Sequence, residues 1–199
     1  VESHNFDMRK QILKFDDILN DQRKIIYQNR REILNTNDQS KIIEDMIGDY
    51  VNYLIEVTIP PKKYSHEWDG NLLKEKIKEI FSIDIPVSKW FEEDGVDEEE
   101  IKKRLLDQVN QKYKEKQYQY SAELLKFAEK RVMLFQIDKD WRDHLAAMDS
   151  LRGSVNLRAM GGKDPFYEYK KESFDYFDEM LSNQNERVLK TLFNIKLVS

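Results

Sequence analysis

The sequence predicts an all-α fold: a long scaffold helix packed with an antiparallel two-helix hairpin, plus a small inserted helical lobe. Three observations predict it. Apolar residues recur at intervals of three and four over stretches much longer than a strand. Only 6 Gly and 4 Pro interrupt 199 residues, of which 36% are charged and 40% hydrophobic, a balance that suits long helices with solvated faces. Turn chemistry is confined to a few places, foremost Leu157-Arg158-Ala159-Met160-Gly161-Gly162-Lys163-Asp164-Pro165.

The first helix is predicted over 5–34. Met8, Ile12, Phe15, Leu19, Ile26 and Ile33 form a near-heptad seam that Gln22 and Asn29 interrupt. Its length of roughly 45 Å, at about 1.5 Å per residue, demands neighbours along the whole face, because isolated helical propensity stabilises little. A polar break at 35–40 ends it. A second helix over 38–55 carries Ile42, Ile43, Met46, Tyr50 and Leu54, and Ile59-Pro60-Pro61 stops it. Short helices follow over 72–81 and 88–92. Asp97-Glu98-Glu99-Glu100 opens another, since acids at a helix N-terminus favour the macrodipole. Ile101, Leu105 and Val109 mark its apolar face, and it runs into the Lys- and Tyr-rich stretch 111–120.

Apolar periodicity resumes at Leu124. Leu134, Ile137, Trp141, Leu145, Met148, Leu151 and Val155 define the first arm of the hairpin, over 134–156 and about 35 Å long. Phe174, Phe177, Leu181, Val188, Leu192 and Ile195 define the second, with Gln184 in one seam position. Trp141, Leu145, Met148, Phe174 and Phe177 are assigned to the packing between the arms. Asp164-Pro165 is a strong helix start: the carboxylate accepts from first-turn amides, and Pro tolerates the first helical position. Gly161 and Gly162 can both take positive φ and reverse the chain. A turn this short cannot bury its own tip, so Met160 reads equally as a flexible, polarizable contact offered outward or as a loosely packed loop residue.

Charge excludes one class of function. A formal net charge of −5 argues against a nucleic-acid binder that neutralises phosphates. The acidity is concentrated in 36–121, with 13 Lys or Arg against 19 Asp or Glu. Without Cys there is neither a disulfide framework nor a thiolate metal site. No run of about 18 apolar residues exists to span a membrane. The opening Val1, in place of Met, suggests a piece of a longer protein.

Catalytic and metal chemistry is equally sparse. Gly161-Gly162-Lys163 fails as a phosphate loop: Leu157 stands where the first glycine is needed, and Asp164 where Ser or Thr must follow the lysine. His4, His66 and His144 have no ligand spacing among themselves. Asp140 and His144, one turn apart, can in principle share a cation, but an exposed or capped pair on a helix face is the preferred expectation. The acids 98–100 read as a solvated helix start without calcium-loop spacing. No catalytic, cofactor or metal site is expected in this chain. Two rival readings stand beside that expectation: a helical scaffold or tether that docks a folded partner, and, far behind, a small helical enzyme built on Asp140 and His144.

Longer strings carry a resemblance. Val1-Glu2-Ser3-His4-Asn5-Phe6-Asp7-Met8-Arg9-Lys10, Asp16-Asp17 with Asn20-Asp21-Gln22-Arg23, Trp141 with His144-Leu145-Ala146-Ala147-Met148-Asp149, and Lys163-Asp164-Pro165 with Glu168-Tyr169-Lys170-Lys171-Glu172-Ser173-Phe174 together resemble the carboxy-terminal helical part of SecA, the bacterial preprotein translocase ATPase. Ile59-Pro60-Pro61 fits the same family. The resemblance implies a helical scaffold domain at 1–35 and 122–199 that contains a two-helix finger at about 134–187, and a helical wing domain at 36–121. It implies that the finger enters the mouth of the SecY channel and touches unfolded preprotein with Met160, flanked by Arg158, Gly161, Gly162 and Lys163. Many family members carry Tyr at the tip, so Met160 departs from the pattern. The first helix would support motor domains of the same protein, which hold ATP and Mg outside this chain. A cytoplasmic location with peripheral attachment to the inner membrane is implied with it.

Overall fold

The structure, a computed structural model, describes residues 2–60 and 67–197, with the side chains of 2–9 and 11 excepted. Seven α-helices and no strand occur among the described residues. They are α1 (Glu2–Asn35), α2 (Ser40–Thr58), α3 (Gly70–Phe81), α4 (Val87–Glu92), α5 (Glu98–Gln119), α6 (Ala122–Arg158) and α7 (Pro165–Asn194). The all-α expectation holds. Pro61 and His66 lie outside the described residues, as do the side chains of His4 and of Met8 in the first seam.

Local chemistry explains several helix starts. Asp69 accepts from the Leu72 amide at 2.9 Å and starts α3 two residues before the predicted 72. Asp97 accepts from the Glu100 amide at 2.9 Å and starts α5, with Glu98, Glu99 and Glu100 in its first turn as the macrodipole favours. The largest difference is α6, which begins at Ala122 and not at 134. Ser121 starts it, its hydroxyl accepting from the Leu124 amide at 3.3 Å and its carbonyl from Leu125 at 3.0 Å.

The chain divides into two compact units. One comprises Val1–Thr36 and Leu134–Gln184. In it α1 runs antiparallel to α6 and parallel to α7, because Phe15 meets Tyr169, Gln22 meets His144 and Ser173, and Arg30 meets Asp138. Its apolar centre is Phe15, Met148, Leu151, Val155 and Tyr169, with Phe166, Ile18 and Leu19 packed against it. Phe15 sets its ring edge-on to Tyr169 at 4.8 Å and to Phe166 at 5.8 Å, the arrangement that aromatic quadrupoles favour.

Packing between the arms corrects one residue. Trp141, Met148 and Phe177 are buried and Leu145 half-buried, but Phe174 is 68% exposed. The inward face of α7 runs Tyr169, Ser173, Phe177, Met180 and Gln184, so position 174 is turned about 100° away from it. A small residue, Ser173, takes the place that an aromatic had been assigned.

The second unit comprises Asn37–Met133 and Asn185–Ser199. Its core gathers Ile43, Ile47 and Val51 of α2, Leu73 and Ile77 of α3, Ile101, Leu105 and Val109 of α5, and Leu189 of α7, all fully or almost fully buried. Phe81 and Tyr113 both contact the Phe193 ring, at 4.8 and 5.7 Å, which brings the end of α7 into this core.

Candidate functional site: the hairpin tip and the polar layer behind it

Between α6 and α7 the chain makes one 3-10 turn, Ala159–Gly161, and then reverses at Gly162. Gly162 has φ 82° and donates its amide to the Ala159 carbonyl at 3.1 Å. This is the left-handed conformation in which only glycine is unstrained. Gly161 does not share it: Gly95 and Gly162 are the described glycines with positive φ. The reversal therefore needs one glycine, where sequence had allowed two. Asp164 begins α7 as expected, its Oδ1 accepting from the Phe166 amide at 2.9 Å.

Charges at the tip are oriented by α7. Arg158 forks onto the Glu172 carboxylate and also donates from Nη1 to Glu168 Oε2 at 3.4 Å. Lys163 lies 3.6 Å from the same Glu168 oxygen. The bond to Glu172 raises the Arg158 pKa further above its ordinary value, so it stays cationic. Arg158 thus braces the end of α6 against α7, while Lys163 pairs with α7 on its own side of the turn. The i,i+4 spacing of Glu168 and Glu172 is legible in the sequence, but the partner across the hairpin depends on register. Met160 has no such tie and is 89% exposed, and Leu157 is 69% exposed.

Behind the tip a polar layer crosses the first unit. Asp140 and His144 are 2% and 4% exposed, which overturns the expectation of an exposed pair. Positions 140 and 144 follow the i+4 ladder from Gln136, whose side chain is also buried, and lie beside Ile137 and Trp141. Asp140 accepts from Gln136 Nε2 at 2.7 Å and from Gln184 Nε2 at 3.4 Å. His144 Nε2 lies 2.7 Å from Gln22 Oε1, and Gln22 Nε2 donates to the Ser173 carbonyl at 3.1 Å. The His144 ring sits between Trp141 and Phe177, each centroid 5.5 Å away. Burial pushes its pKa below the usual histidine value, so the neutral form is favoured. Gln22 and Gln184 were read as interruptions of apolar seams; they are the partners that make burial of Asp140 and His144 tolerable. Among the described residues no group of three or more His, Cys, Asp or Glu is arranged to hold a metal ion, and no helix is long and apolar enough to cross a membrane.

Comparison with known proteins gives the family. Residues 1–196 match the family of the SecA wing and scaffold domain. Over 198 residues the chain is 40% identical to the protein translocase subunit SecA of Bartonella tribocorum and 37% identical to that of Bartonella bacilliformis. Each alignment covers the whole of this chain and 22% of the relative.

Proposed function

Since the chain belongs to the SecA wing and scaffold family, we propose that it is the part of a protein-export ATPase that carries motion to the substrate, with α6 and α7 acting as a two-helix finger. The observation that carries this reading is the tip. Met160 stands almost fully exposed on a turn whose neighbouring cations are tied to Glu168 and Glu172. Such a tip is stiffened by its charges and presents thioether and aliphatic surface, which suits contact with unfolded chains of varied sequence. Met in place of Tyr favours an apolar contact over an aromatic or hydroxyl-specific one.

The rest of the assignment follows the family. ATP and Mg would be bound by motor domains outside this chain, the partners would be the SecY channel and preprotein, and the setting would be the cytoplasmic face of the inner membrane. The scaffold domain would span 1–35 and 122–199 and the wing 36–121. Motor domains would rest on α1 and α6, where Tyr27, Leu34 and Phe135 line a groove and are 57%, 44% and 63% exposed. That apolar surface supports a covering partner.

Crosslinking tests the tip. A Met160→Cys variant of the full-length protein is expected to crosslink to a preprotein stalled in the channel. Tyr118→Cys is the control, because Tyr118 is as exposed as Met160 at 89% but lies on α5. Equal labelling at both positions, or labelling at position 118 alone, rejects the finger-tip reading.

A further inference from the structure

The layer that joins His144, Gln22 and Ser173 draws one group from each helix of the first unit. Gln22 of α1 is the central piece: its Nε2 donates to the Ser173 carbonyl of α7 at 3.1 Å, and its Oε1 lies 2.7 Å from His144 Nε2 of α6. An amide is directional. With its NH2 committed to a carbonyl, its oxygen faces the imidazole, so the proton of neutral His144 belongs on Nε2 and is donated to Gln22. Ser173 contributes through its backbone; its own hydroxyl is occupied with the Lys170 carbonyl at 3.0 Å, and its small, fully buried side chain lets the glutamine reach the helix.

The apolar contacts on either side of this layer are weakly selective for register. Phe15, Ile26, Met148 and Val155 can repack against a neighbour shifted by a fraction of a turn. The amide cannot. Any slide or rotation of one helix leaves a buried donor or acceptor without its partner, and buried polar contacts of this kind are the best-attested device for fixing helix register.

We propose that Gln22 and His144 are positioning residues that lock α1 to the finger in one register, so that displacement of α1 reaches the tip and is not absorbed as slip between helices. This rests on the finger reading above and names the contact by which the finger is driven. Phe at position 144 keeps a ring between Trp141 and Phe177 while removing the donor; Leu at position 22 keeps the bulk while removing the amide.

Two measurements test it. In the 199-residue chain, denaturant midpoints of His144→Phe, Gln22→Leu and the double variant are compared. The double variant is expected to match the weaker single variant, and strictly additive losses would remove the tie. In the full-length protein, the ATP hydrolysed per preprotein carried is expected to rise at least threefold in His144→Phe. Hydrolysis without preprotein is expected to stay within twofold, and His144→Gln, which keeps an N–H at similar reach, to restore the ratio. Gln22→Leu carries the same measurement if the Phe variant does not fold. An unchanged ratio in a folded variant overturns the positioning role. A raised ratio together with a failed Met160→Cys crosslink keeps the tie and rejects the tip contact instead.

Discussion

At the scale of single residues, glycine freedom matters at one position. Gly162→Ala is expected to cost about 1 kcal/mol, because alanine must then hold φ 82°. Gly161→Ala has open space around the added carbon and no positive φ, so its effect should stay within about 0.5 kcal/mol. Denaturant unfolding of the two variants checks the difference. The same method separates the two phenylalanines of α7. Phe177→Ala, at 6% exposure, should cost about 3–5 kcal/mol, and Phe174→Ala, at 68%, under about 0.5 kcal/mol. His144 gives a pH signature. Its folded pKa lies below 6.5, so below that pH the unfolded chain binds the extra proton. Its contribution to stability is therefore complete above about pH 6.5 and is lost as pH falls toward the folded pKa, by up to about 1.4 kcal/mol per unit. His144→Phe should flatten the part of the stability curve that lies below about pH 6.5.

At the scale of elements, the helices that sequence placed well are those whose signals are local. Asp97 followed by three glutamates, and Asp164-Pro165, state their own starts. The apolar periodicity that resumes at Leu124 and the hairpin arm expected from 134 are one helix, α6, whose start rests on a single capping hydroxyl, Ser121, ahead of a weak apolar pattern. Phe174 was misplaced for a different reason. An apolar stripe three or four residues apart leaves a choice of about 100° in facing, and Tyr169 and Ser173 win the inward face because α1 packs there. The polar layer was legible only as a list of exceptions, since Gln22, His144 and Gln184 become partners when three helices meet. The C-terminal end of α7 shows the same dependence. Asn194 Nδ2 and the Ile195 amide satisfy the Lys190 and Thr191 carbonyls locally, at 2.8 and 2.9 Å, while Lys116 of α5, buried, donates to the Leu192 carbonyl and to the Ile195 carbonyl at 2.8 Å, beyond the reach of any local signal. Lys116→Met should cost about 1–3 kcal/mol and speed amide exchange in the last turn of α7 before it does so elsewhere.

At the scale of the whole molecule, sequence separated an acidic insertion from the parts around it by composition, and the folded chain separates two cores by packing. These are different divisions, since the second unit also takes in the first turns of α6 and the end of α7. Both helices run unbroken from one unit to the other, yet the buried residues of each unit have their own neighbours. Leu105 is buried with Ile101 and Val109 in the second unit, and Met148 with Leu151 and Val155 in the first. Truncating either to Ala removes a fully buried side chain, at a cost of about 2–5 kcal/mol. If each core is its own cooperative element, the loss stays where it is made. Leu105→Ala is then expected to accelerate hydrogen exchange across 67–133 and 185–197 while 15–36 and 136–184 keep their protection, and Met148→Ala to do the reverse. Exchange that rises equally in both sets for either variant would mean that α6 and α7 bind the two cores into one unfolding unit. In that case a load on the tip would be shared by the entire chain and not borne by α1 and the hairpin alone.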